Sequence, residues 1–483
     1  MEDDTFPAGL LGNHYSARHE CGLYRSCAVN SYYTFTPTLS HALDEFTQRL
    51  SRALAKTIER HPSLCYGLLP GSQATRPKAR FKRISRISWD DVVTIASSSE
   101  FADGQAQEAR VCEEIGSAHE QLFDDPEHRP VWRVRVLMYG AAGDGTYRVY
   151  ILFMAHHAIA DGLSCASFQR TLHEQLCLAA VETGEKSDVQ WPYSVPQTVG
   201  RPIALEDAMD ISTPGCEALS PQPVSGEKKT RVWTGNRPSL PTIESYRSLA
   251  LLVTVPPGQV PRIVETCRRL KITVTGYLHG LIVSCLARSA VTDGQLSIRA
   301  GTPYSLRKFT QLPMVEMANH ISSMSIEWNA ELLNSMCHAA EGSLEEEKLI
   351  AAIGRQLTEE LSAEIAKIAV EGVCHLRMVD RITDLKAYSR EALSRERWET
   401  YEISNLGVVR MNPVPEQSAF TLEGLIFSQC GMILGAPIGC NVANLEGGPL
   451  VISLTWQKGG VDDEIVVGLQ EFLGRRLGAS SID

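Results

Sequence analysis

The stretch that decides the fold is Tyr147-Arg148-Val149-Tyr150-Ile151-Leu152-Phe153-Met154-Ala155, which runs directly into His156-His157-Ala158-Ile159-Ala160-Asp161-Gly162. Its first part is dense in β-branched, aromatic and aliphatic residues and predicts a strand. After Gly162, apolar residues recur at steps of three and four and predict an amphipathic helix that packs on a core: Cys165, Phe168, Leu172, Leu176 and Ala179. The paired histidines therefore lie in a short strand-to-helix loop, where a rigid scaffold presents polar side chains to a cleft.

The length of the chain suggests more than one folding unit. At 483 residues, and with about 100–200 residues in a typical domain, two to four units are expected, most simply two. Periodicity disappears between Glu182 and about Glu244, where Pro, Ser, Thr and Gly accumulate. Because a loop of this length is uncommon inside one compact domain, we predict an N-terminal lobe over 1–185, a crossover linker over 186–243 and a C-terminal lobe over 244–483.

Helices and strands alternate in both predicted lobes. Beyond the central stretch, strands are predicted at 27–35, 64–69, 131–139, 249–255, 296–303, 401–405, 419–428 and 449–456. Helices are predicted near 39–58, 107–122, 259–270, 274–288, 343–369 and 462–477. This alternation indicates an α/β sandwich-type architecture.

Composition and charge exclude several classes of function. Hydrophobic residues make up 43% of the chain and charged residues 21%, as in ordinary globular proteins, and the net charge of -11 argues against a broad nucleic-acid or anionic-membrane surface. The 13 cysteines include no Cys-x-x-Cys pair, which is typical of reduced, packed thiols. No run approaches the ~18 apolar residues of a transmembrane helix. We expect a soluble, cytoplasmic protein with no nucleic-acid partner and no transmembrane segment.

General-base catalysis is the chemistry that best fits a loop histidine followed four residues later by Asp and Gly. A neutral imidazole, with an ordinary pKa near ~6.5, can take a proton from a hydroxyl or amine nucleophile at physiological pH. We assign this role to His157 and expect His156 to point elsewhere and help hold the loop. A metal site is the weaker interpretation, since adjacent histidines cannot easily share one ion and no third ligand is placed nearby.

Asp161 admits two roles. It could orient the imidazole as in a hydrolase triad, or it could turn away, pair with an Arg and lock the shape of the loop. The chain has no serine in a Gly-x-Ser-x-Gly elbow, and this favours the second role. Gly162 would supply a tight backbone bend and let the following helix start close to the active centre.

Residues His156 to Gly162 resemble the active-site signature of the acyltransferase superfamily that includes chloramphenicol acetyltransferase, nonribosomal-peptide condensation domains, plant BAHD acyltransferases and fungal alcohol acetyltransferases. Three further stretches are similar to the fungal branch: Pro130-Val131-Trp132-Arg133-Val134, Gly301-Thr302-Pro303-Tyr304-Ser305-Leu306-Arg307 and Ile403-Ser404-Asn405-Leu406-Gly407. The chain lacks the Asp-Phe-Gly-Trp-Gly motif of the plant enzymes, which favours the fungal alcohol acetyltransferase-like group.

The resemblance implies two lobes similar to chloramphenicol acetyltransferase monomers, with an interlobe solvent channel and His157 midway along it. It implies an acyl-CoA, expected to be acetyl-CoA, as a co-substrate that is not permanently bound, and a hydroxyl of a specialised metabolite as acceptor. His157 would deprotonate this hydroxyl, which attacks the thioester directly, without a covalent acyl-enzyme. Binding both reactants in one tunnel makes the step effectively intramolecular and excludes water.

Other residues are weaker candidates. Arg307 is predicted as the partner of Asp161, with a solvated surface Arg as the alternative. Ser404 and Asn405 could line the tunnel and help stabilise the oxyanion, or Asn405 could simply form the turn before Leu-Gly. Trp132 is predicted to pack in the core.

Two other functions stay open at this point. The first is acyl transfer from a carrier-protein thioester or onto an amine, as in condensation domains. The second is a non-acyl role of the same tunnel, because a fold does not dictate its chemistry. We expect the chain to act as a monomer.

Overall fold

The structure is a computed structural model of the 483-residue chain. It describes residues 5–71, 78–98, 104–140, 145–179, 189–209, 211, 231–291, 294–371, 376, 379 and 382–478. Parts of the predicted linker over 186–243, namely residues 186–188, 210 and 212–230, lie outside the described residues.

The described strands are β1 (Thr5–Pro7), β2 (Cys27–Phe35), β3 (Tyr66–Leu69), β4 (Arg80–Arg83), β5 (Arg86–Ile87), β6 (Val93–Ser98), β7 (Trp132–Tyr139), β8 (Tyr147–Ala155), β9 (Tyr193–Ser194), β10 (Arg231–Val232), β11 (Ser248–Val255), β12 (Leu296–Ser305), β13 (Ile321–Trp328), β14 (Tyr401–Val409), β15 (Phe420–Gln429), β16 (Ile438–Leu445) and β17 (Leu450–Gln457).

The described α-helices are α1 (Gly9–Glu20), α2 (Ala42–Arg60), α3 (Trp89–Val92), α4 (Gly104–Glu120), α5 (Gly162–Leu178), α6 (Leu205–Ala208), α7 (Val260–Leu270), α8 (Val274–Ser289), α9 (Arg307–Thr310), α10 (Ala330–His338), α11 (Leu344–Glu371), α12 (Leu385–Glu391) and α13 (Asp463–Leu477). Two short 3₁₀ helices cover Pro62–Cys65 and Ala392–Ser394.

Strand β8 lies at the centre of the first main sheet, which has the order β15-β2-β8-β7-β6. It pairs antiparallel with β2 along its whole length, from Cys27↔Ala155 to Phe35↔Tyr147, and antiparallel with β7 on its other side. Both faces of β8 are buried. Phe153 and its alternate neighbours join the core under α2 and α5, whereas Leu152 and its alternate neighbours pack towards α4 and β11. This two-sided burial explains why the strand is a continuous apolar run instead of an alternating one.

The second main sheet has the order β10-β12-β14-β16-β17-β11, with β13 also paired to β12. Strands β12, β14 and β16 run parallel, while β17 pairs antiparallel with β16 and β11. One face of this sheet packs against helices α7, α8, α11 and α13 in a core of its own. The predicted α/β architecture with two sheet-and-helix units is confirmed.

Strand β15 joins the two units. It belongs to the predicted C-terminal lobe in sequence, but it pairs antiparallel with β2 at the edge of the first sheet, from Phe420↔Phe35 to Gln429↔Cys27. The first sheet is therefore completed by residues from far along the chain. The boundaries 1–185, 186–243 and 244–483 stay a prediction, and β15 shows that sheet membership does not follow them.

Several elements differ from the sequence analysis. Helix α1 was not predicted because it is buried over most of its surface and shows no single apolar stripe. Strand β13 was not predicted because serines interrupt its apolar pattern, and α10 was missed as well. Strand β14 does not end at Asn405: it continues to Val409 through an irregularity at Gly407, where φ is +70°.

Within the described residues, no single helix combines the length and the apolar composition needed to cross a membrane. Helices α7 and α8 pass that test together, as a pair bent by 90°. The described cysteines are free thiols and nearly all of them are buried, as the sequence predicts. Trp132 is fully buried, with its indole N–H donating to the Leu64 carbonyl at 2.9 Å, so its predicted place in the core is confirmed.

Candidate active site

The histidine motif forms a short loop between β8 and α5. The amide of His156 donates to the Val131 carbonyl at 2.9 Å, so the loop starts as a continuation of the sheet. The chain then turns, with the Ile159 amide donating to the His156 carbonyl at 3.0 Å. Asp161 caps helix α5, because its Oδ1 accepts hydrogen bonds from the amide and the hydroxyl of Ser164, both at 2.8 Å. Local hydrogen bonds thus define the loop at both ends.

Asp161 turns away from the imidazole and binds Arg307. The guanidinium donates from Nη1 to Oδ2 at 2.6 Å and from Nη2 to Oδ1 at 3.0 Å. Both side chains are buried, with exposed fractions of 0% for Arg307 and 2% for Asp161. Burial alone would raise the pKa of Asp161, but Arg307 and the bonds from Ser164 outweigh it, and the pKa lies below its ordinary value. Asp161 is therefore a charged structural partner of Arg307.

The same ion pair fastens the loop to residues 316–320. Nη2 of Arg307 donates to the Ala318 carbonyl at 2.8 Å, and the Ser164 hydroxyl bridges to the same segment by donating to that carbonyl, also at 2.8 Å. The Nδ2 group of Asn319 donates to the carbonyl of His157 at 2.5 Å. A segment that the sequence analysis did not single out therefore holds the backbone of the histidine itself.

The imidazole of His157 is enclosed by aromatic rings. Tyr15 of α1 stacks on it with ring centroids 3.9 Å apart and planes 5° apart, and Tyr24 lies 5.5 Å away, tilted by 58°. The residue is 5% exposed, and its Nδ1 has no hydrogen-bond partner in any other described residue. Burial lowers the pKa of His157 to about 4, although Asp161 partly opposes this effect. The ring is therefore neutral at physiological pH.

The ring of His156 packs beside that of His19. Its Nδ1 accepts a hydrogen bond from the Ala158 amide at 3.0 Å, and its ring lies 4.6 Å from that of His19. Burial lowers the pKa of His156 well below its ordinary value. His19 is itself buried and accepts a hydrogen bond from the Phe123 amide at 3.1 Å. His156 and His19 form a neutral packed pair behind the loop.

A polar chain leads from the imidazole towards the second sheet. The Tyr24 hydroxyl donates to Oε1 of Gln429 at 2.8 Å, and Nε2 of Gln429 donates to Glu402 at 2.9 Å. Burial raises the pKa of Glu402, and burial together with Glu402 raises the pKa of Glu399 to about 7. Tyr24, Gln429 and Glu402 thus connect the rings around His157 to the second sheet, where Glu402 and Glu399 ionise less readily than usual.

The sequence of this chain matches the family model for alcohol acetyltransferases over residues 7–474. This range includes nearly all of the chain and every residue of the site described above. The chain belongs to the alcohol acetyltransferase family. It is an acyltransferase of this family, and the resemblance seen in the sequence is confirmed.

Three similar proteins of the family or of its fold illustrate the relationship. A probable alcohol acetyltransferase of Aspergillus fumigatus is 21% identical over 473 residues, covering 94% of this chain and 95% of that protein. The trichothecene 15-O-acetyltransferase TRI3 of Fusarium sporotrichioides has a TM-score of 0.68 at 12% identity, covering 98% of this chain and 95% of that one. TRI101 of the same species, solved with coenzyme A and T-2, has a TM-score of 0.58 at 8% identity, covering 97% of both chains. These two structures share the fold.

In this family member, Gly162 serves close packing. A Cβ added to it would lie 2.7 Å from Cδ2 of Leu406 and 2.8 Å from Cζ of Phe427. The φ angle of Gly162 is not positive, so the predicted tight backbone bend is not the reason that glycine is needed at this position. The absence of a side chain lets the start of α5 approach β14 and β15, which agrees with the second part of the prediction.

Ser404 and Asn405 lie on β14, next to Leu406, which packs against Gly162. Asn405 uses both ends of its amide locally: Nδ2 donates to the Thr275 hydroxyl at 3.0 Å, and Oδ1 accepts from the Gly407 amide at 2.8 Å. This geometry agrees with a turn-forming Asn. An oxyanion role for Asn405 or Ser404 stays a prediction.

Two cavities lie along helix α1, and neither is lined by His157. One of about 500 Å³ is lined by residues of α1, including Leu10, Asn13 and Ala17, and by Lys386. Tyr15 is on the opposite face of that helix. A smaller cavity of about 20 Å³ touches Ala158, Ile159 and Asn319. The interlobe channel past His157 stays a prediction.

The sequence analysis missed three residues that contact His157: Tyr15, Tyr24 and Asn319. Tyr15 lies on the unpredicted α1, and Asn319 lies in an irregular segment without periodicity. A signal existed for Tyr24, because the Gly22-Leu23-Tyr24 stretch just precedes β2, the strand paired with β8. Its antiparallel register brings the start of β2 next to the end of β8.

Proposed function

We propose that this chain transfers an acyl group from an acyl-CoA, expected to be acetyl-CoA, to a hydroxyl group of a small specialised metabolite, with His157 as the general base. The observation that carries this proposal is the buried, neutral imidazole on a loop held in place by Arg307 and Asn319. With a pKa of about 4, about one His157 ring in a thousand is protonated at pH 7. The base is therefore free to accept a proton.

The proposed reaction needs one proton acceptor and no covalent intermediate on the protein. The acceptor hydroxyl gives its proton to His157 while its oxygen forms a bond to the thioester carbonyl carbon. The carbon–sulfur bond then breaks, and the proton passes from the imidazolium to the departing thiolate. The products are an ester and free coenzyme A, and the imidazole is neutral again.

Burial is the main contribution of the fold to this step. A dry site keeps water from hydrolysing the thioester and strengthens electrostatic interactions with the developing charges. Asp161 supports the base indirectly, because it fixes the loop through Arg307 and the cap of α5. Its negative charge also raises the pKa of the imidazole, against the effect of burial. We assign Asp161 a positioning role and His157 the chemical role.

The nature of the substrates is inferred from the family and from similar structures. TRI3 is a trichothecene 15-O-acetyltransferase, and TRI101 was solved with coenzyme A and T-2. These proteins support an acyl-CoA co-substrate and an oxygen acceptor for this chain. We further propose that the chain acts as a monomer in the cytoplasm, which size-exclusion chromatography and cell fractionation would test.

The decisive test is mass spectrometry of the products formed from acetyl-CoA and an extract of metabolite alcohols. The wild type should add an acetyl group, and His157→Ala should lower the rate by about 10²–10⁴-fold, the usual contribution of a general base. His128→Ala is the matched control, because His128 is exposed and pairs with Asp125 on the surface. Undiminished turnover by His157→Ala, with an intact circular dichroism spectrum, would remove the proposal.

A second set of reactions separates CoA from carrier-protein thioesters. The same protein is given an acyl group on a free carrier protein, and an amine in place of the alcohol. We expect transfer from acetyl-CoA to the alcohol only. Transfer restricted to the carrier-bound acyl group would replace this proposal by the condensation-like alternative.

A further inference from the structure

Arg397 is a buried arginine outside the histidine site, in the segment that leads into β14, and it is 5% exposed. Its Nη1 donates to the carbonyl of Asn236, whereas Nε and Nη2 have no hydrogen-bond partner and the described residues provide no ion pair. Burial lowers the pKa of Arg397 to about 10, so the guanidinium is still charged at pH 7. A buried charge of this kind is costly unless an opposite charge compensates it.

The other buried arginines of the described residues each have a compensating group. These are Arg307 with the carboxylate of Asp161, Arg49 with the carboxylate of Glu45 and Arg25 with the ring of Tyr246, whose centre lies 3.9 Å away. The first two are ion pairs and the third is a cation–π contact. Arg397 is the exception in this part of the chain, so its charge calls for an anion that the fold itself does not supply.

The two nitrogens of Arg397 without partners are the pair that forms a side-on fork. The guanidinium is planar, and the N–H groups of Nε and Nη2 point in the same direction along one of its edges. This fork matches two oxygens of a phosphate or a carboxylate. Nη1 lies on the other side of the group, where it binds Asn236. The edge without partners is therefore the one suited to bind an oxyanion with two hydrogen bonds.

Gly460 leaves room next to this fork. A Cβ added to Gly460 would lie 3.3 Å from Nη2 of Arg397 and 3.7 Å from Oε1 of Gln457. The φ angle of Gly460 is not positive, so its backbone conformation does not require glycine. Gln457 is 4% exposed and its Oε1 also has no hydrogen-bond partner. Because the nitrogen and oxygen of an amide can exchange places by a half-turn, Gln457 can offer a third donor to the same place.

The fork lies just beneath the surface. Asn236 and Gly459 are exposed, and Asn236 contacts the guanidinium through its carbonyl. The Nδ2 group of Asn236 donates to the Gly459 carbonyl at 3.3 Å and to Oδ1 of Asp462 at 3.4 Å, and both distances are long for hydrogen bonds. A small shift of this exposed segment is therefore enough to admit an anion.

We propose that Arg397 and Gln457, beside Gly460, form an anion-binding site that takes a phosphate group. A phosphate has two oxygens for the fork and a further one for the amide of Gln457, whereas both oxygens of a carboxylate would be used by the fork. The phosphate group comes either from an acyl-CoA or from free inorganic phosphate. The site itself is independent of the proposed function, and only the acyl-CoA source rests on it.

Thermal unfolding with and without inorganic phosphate tests the site. Phosphate stabilises folded proteins in general, so the quantity to compare is the additional rise in the unfolding midpoint of the wild type. We expect this additional rise to be about 2 °C or more relative to Arg397→Met, which lacks the charge. Gly460→Ala keeps the charge but places a methyl group next to the fork, and it should lose the additional rise as well. Arg262→Met is the control, because Arg262 is exposed, and it should behave as the wild type.

The same variants test whether the charge of Arg397 is unpaired. Without phosphate, Arg397→Met should unfold at the temperature of the wild type or above it, because the change removes a buried charge that has no partner. A midpoint of Arg397→Met well below that of the wild type would overturn the inference, since the protein itself would then compensate the guanidinium.

Kinetics with two acyl donors identify the source of the phosphate group. Acetyl-CoA carries phosphate groups and acetyl-pantetheine has none. If acyl-CoA is the source, Arg397→Met should raise the KM for acetyl-CoA about ten-fold or more, the size of a lost hydrogen bond to a charged group, and leave the KM for acetyl-pantetheine unchanged. Unchanged KM values for both donors, together with the additional rise in phosphate, would support a site for free phosphate.

The outcomes separate this inference from the proposed function. If the wild type transfers no acetyl group, the proposed function fails, and an additional rise in phosphate that is lost in Arg397→Met and Gly460→Ala still supports the site. Equal rises in the wild type and in both variants would overturn the inference, whatever the acetyl-transfer assay shows.

Discussion

The buried ion pair between Asp161 and Arg307 yields the sharpest quantitative prediction. Replacing Arg307 with Met keeps the length and apolar bulk of the side chain and removes its charge. The carboxylate of Asp161 would then remain in a site where its side chain is 2% exposed, without the two hydrogen bonds of 2.6 and 3.0 Å from the guanidinium. Breaking a buried pair by removing one partner costs about 3–5 kcal/mol. We expect Arg307→Met to lower the free energy of unfolding by that amount.

The assay is urea unfolding at pH 7, followed by circular dichroism, on single and double variants. Asp161→Asn/Arg307→Met should cost less than the sum of the two single changes, because the double variant buries no unpaired charge. Lys56→Met is the matched control: Lys56 and Glu59 form an ion pair of 2.9 Å, but both side chains are exposed. Such surface pairs contribute about 0–1 kcal/mol. If Arg307→Met costs no more than Lys56→Met, the assignment of the pair as the structural lock of the loop is wrong.

Three further predictions concern the same loop. Gly162→Ala should destabilise the protein by about 1–3 kcal/mol in thermal or urea unfolding, because the new methyl group would overlap Leu406 and Phe427; an unchanged midpoint would contradict the close packing. Asn319→Ala, which removes the hydrogen bond to the His157 carbonyl, should reduce kcat at least about ten-fold in the acetyl-transfer assay while the fold is retained. Stability should fall as the pH drops from about 6.5 towards 4, because burial lowers the pKa of His157 to about 4 and that of His19, His61, His119 and His279 to about 3, and the unfolded chain takes up these protons first. Urea midpoints that stay constant over this range would refute the burial argument.

The Asp161 carboxylate adds a further loss of stability at lower pH. Its folded-state pKa lies below the ordinary value, so its contribution to stability is complete above about pH 4 and is lost as the pH falls through the folded pKa. The two groups therefore act in adjacent ranges, with the imidazole destabilising the fold first and the carboxylate following.

The sequence by itself determined the local elements and the family. Both faces of β8 are buried, so its sequence before His156 is a continuous apolar run, and this run predicts the strand. The apolar residues that recur every three or four positions after Gly162 predict α5. The spacing of His157, Asp161 and Gly162 led to the acyltransferase family without any coordinates, and the family match confirms it. These features depend on residues that are neighbours in the chain, and periodicity reports them directly.

The tertiary structure decided which distant residues meet. Asp161 finds Arg307, 146 residues later, and Tyr15 reaches the imidazole from a helix that has no apolar stripe. The apolar residues of β15 predict a strand but cannot show that it pairs with β2 instead of a strand of the second sheet. Strand partners, ion pairs between sheets and ring stacks form between surfaces that only the folded chain brings together. Local periodicity contains no information on them.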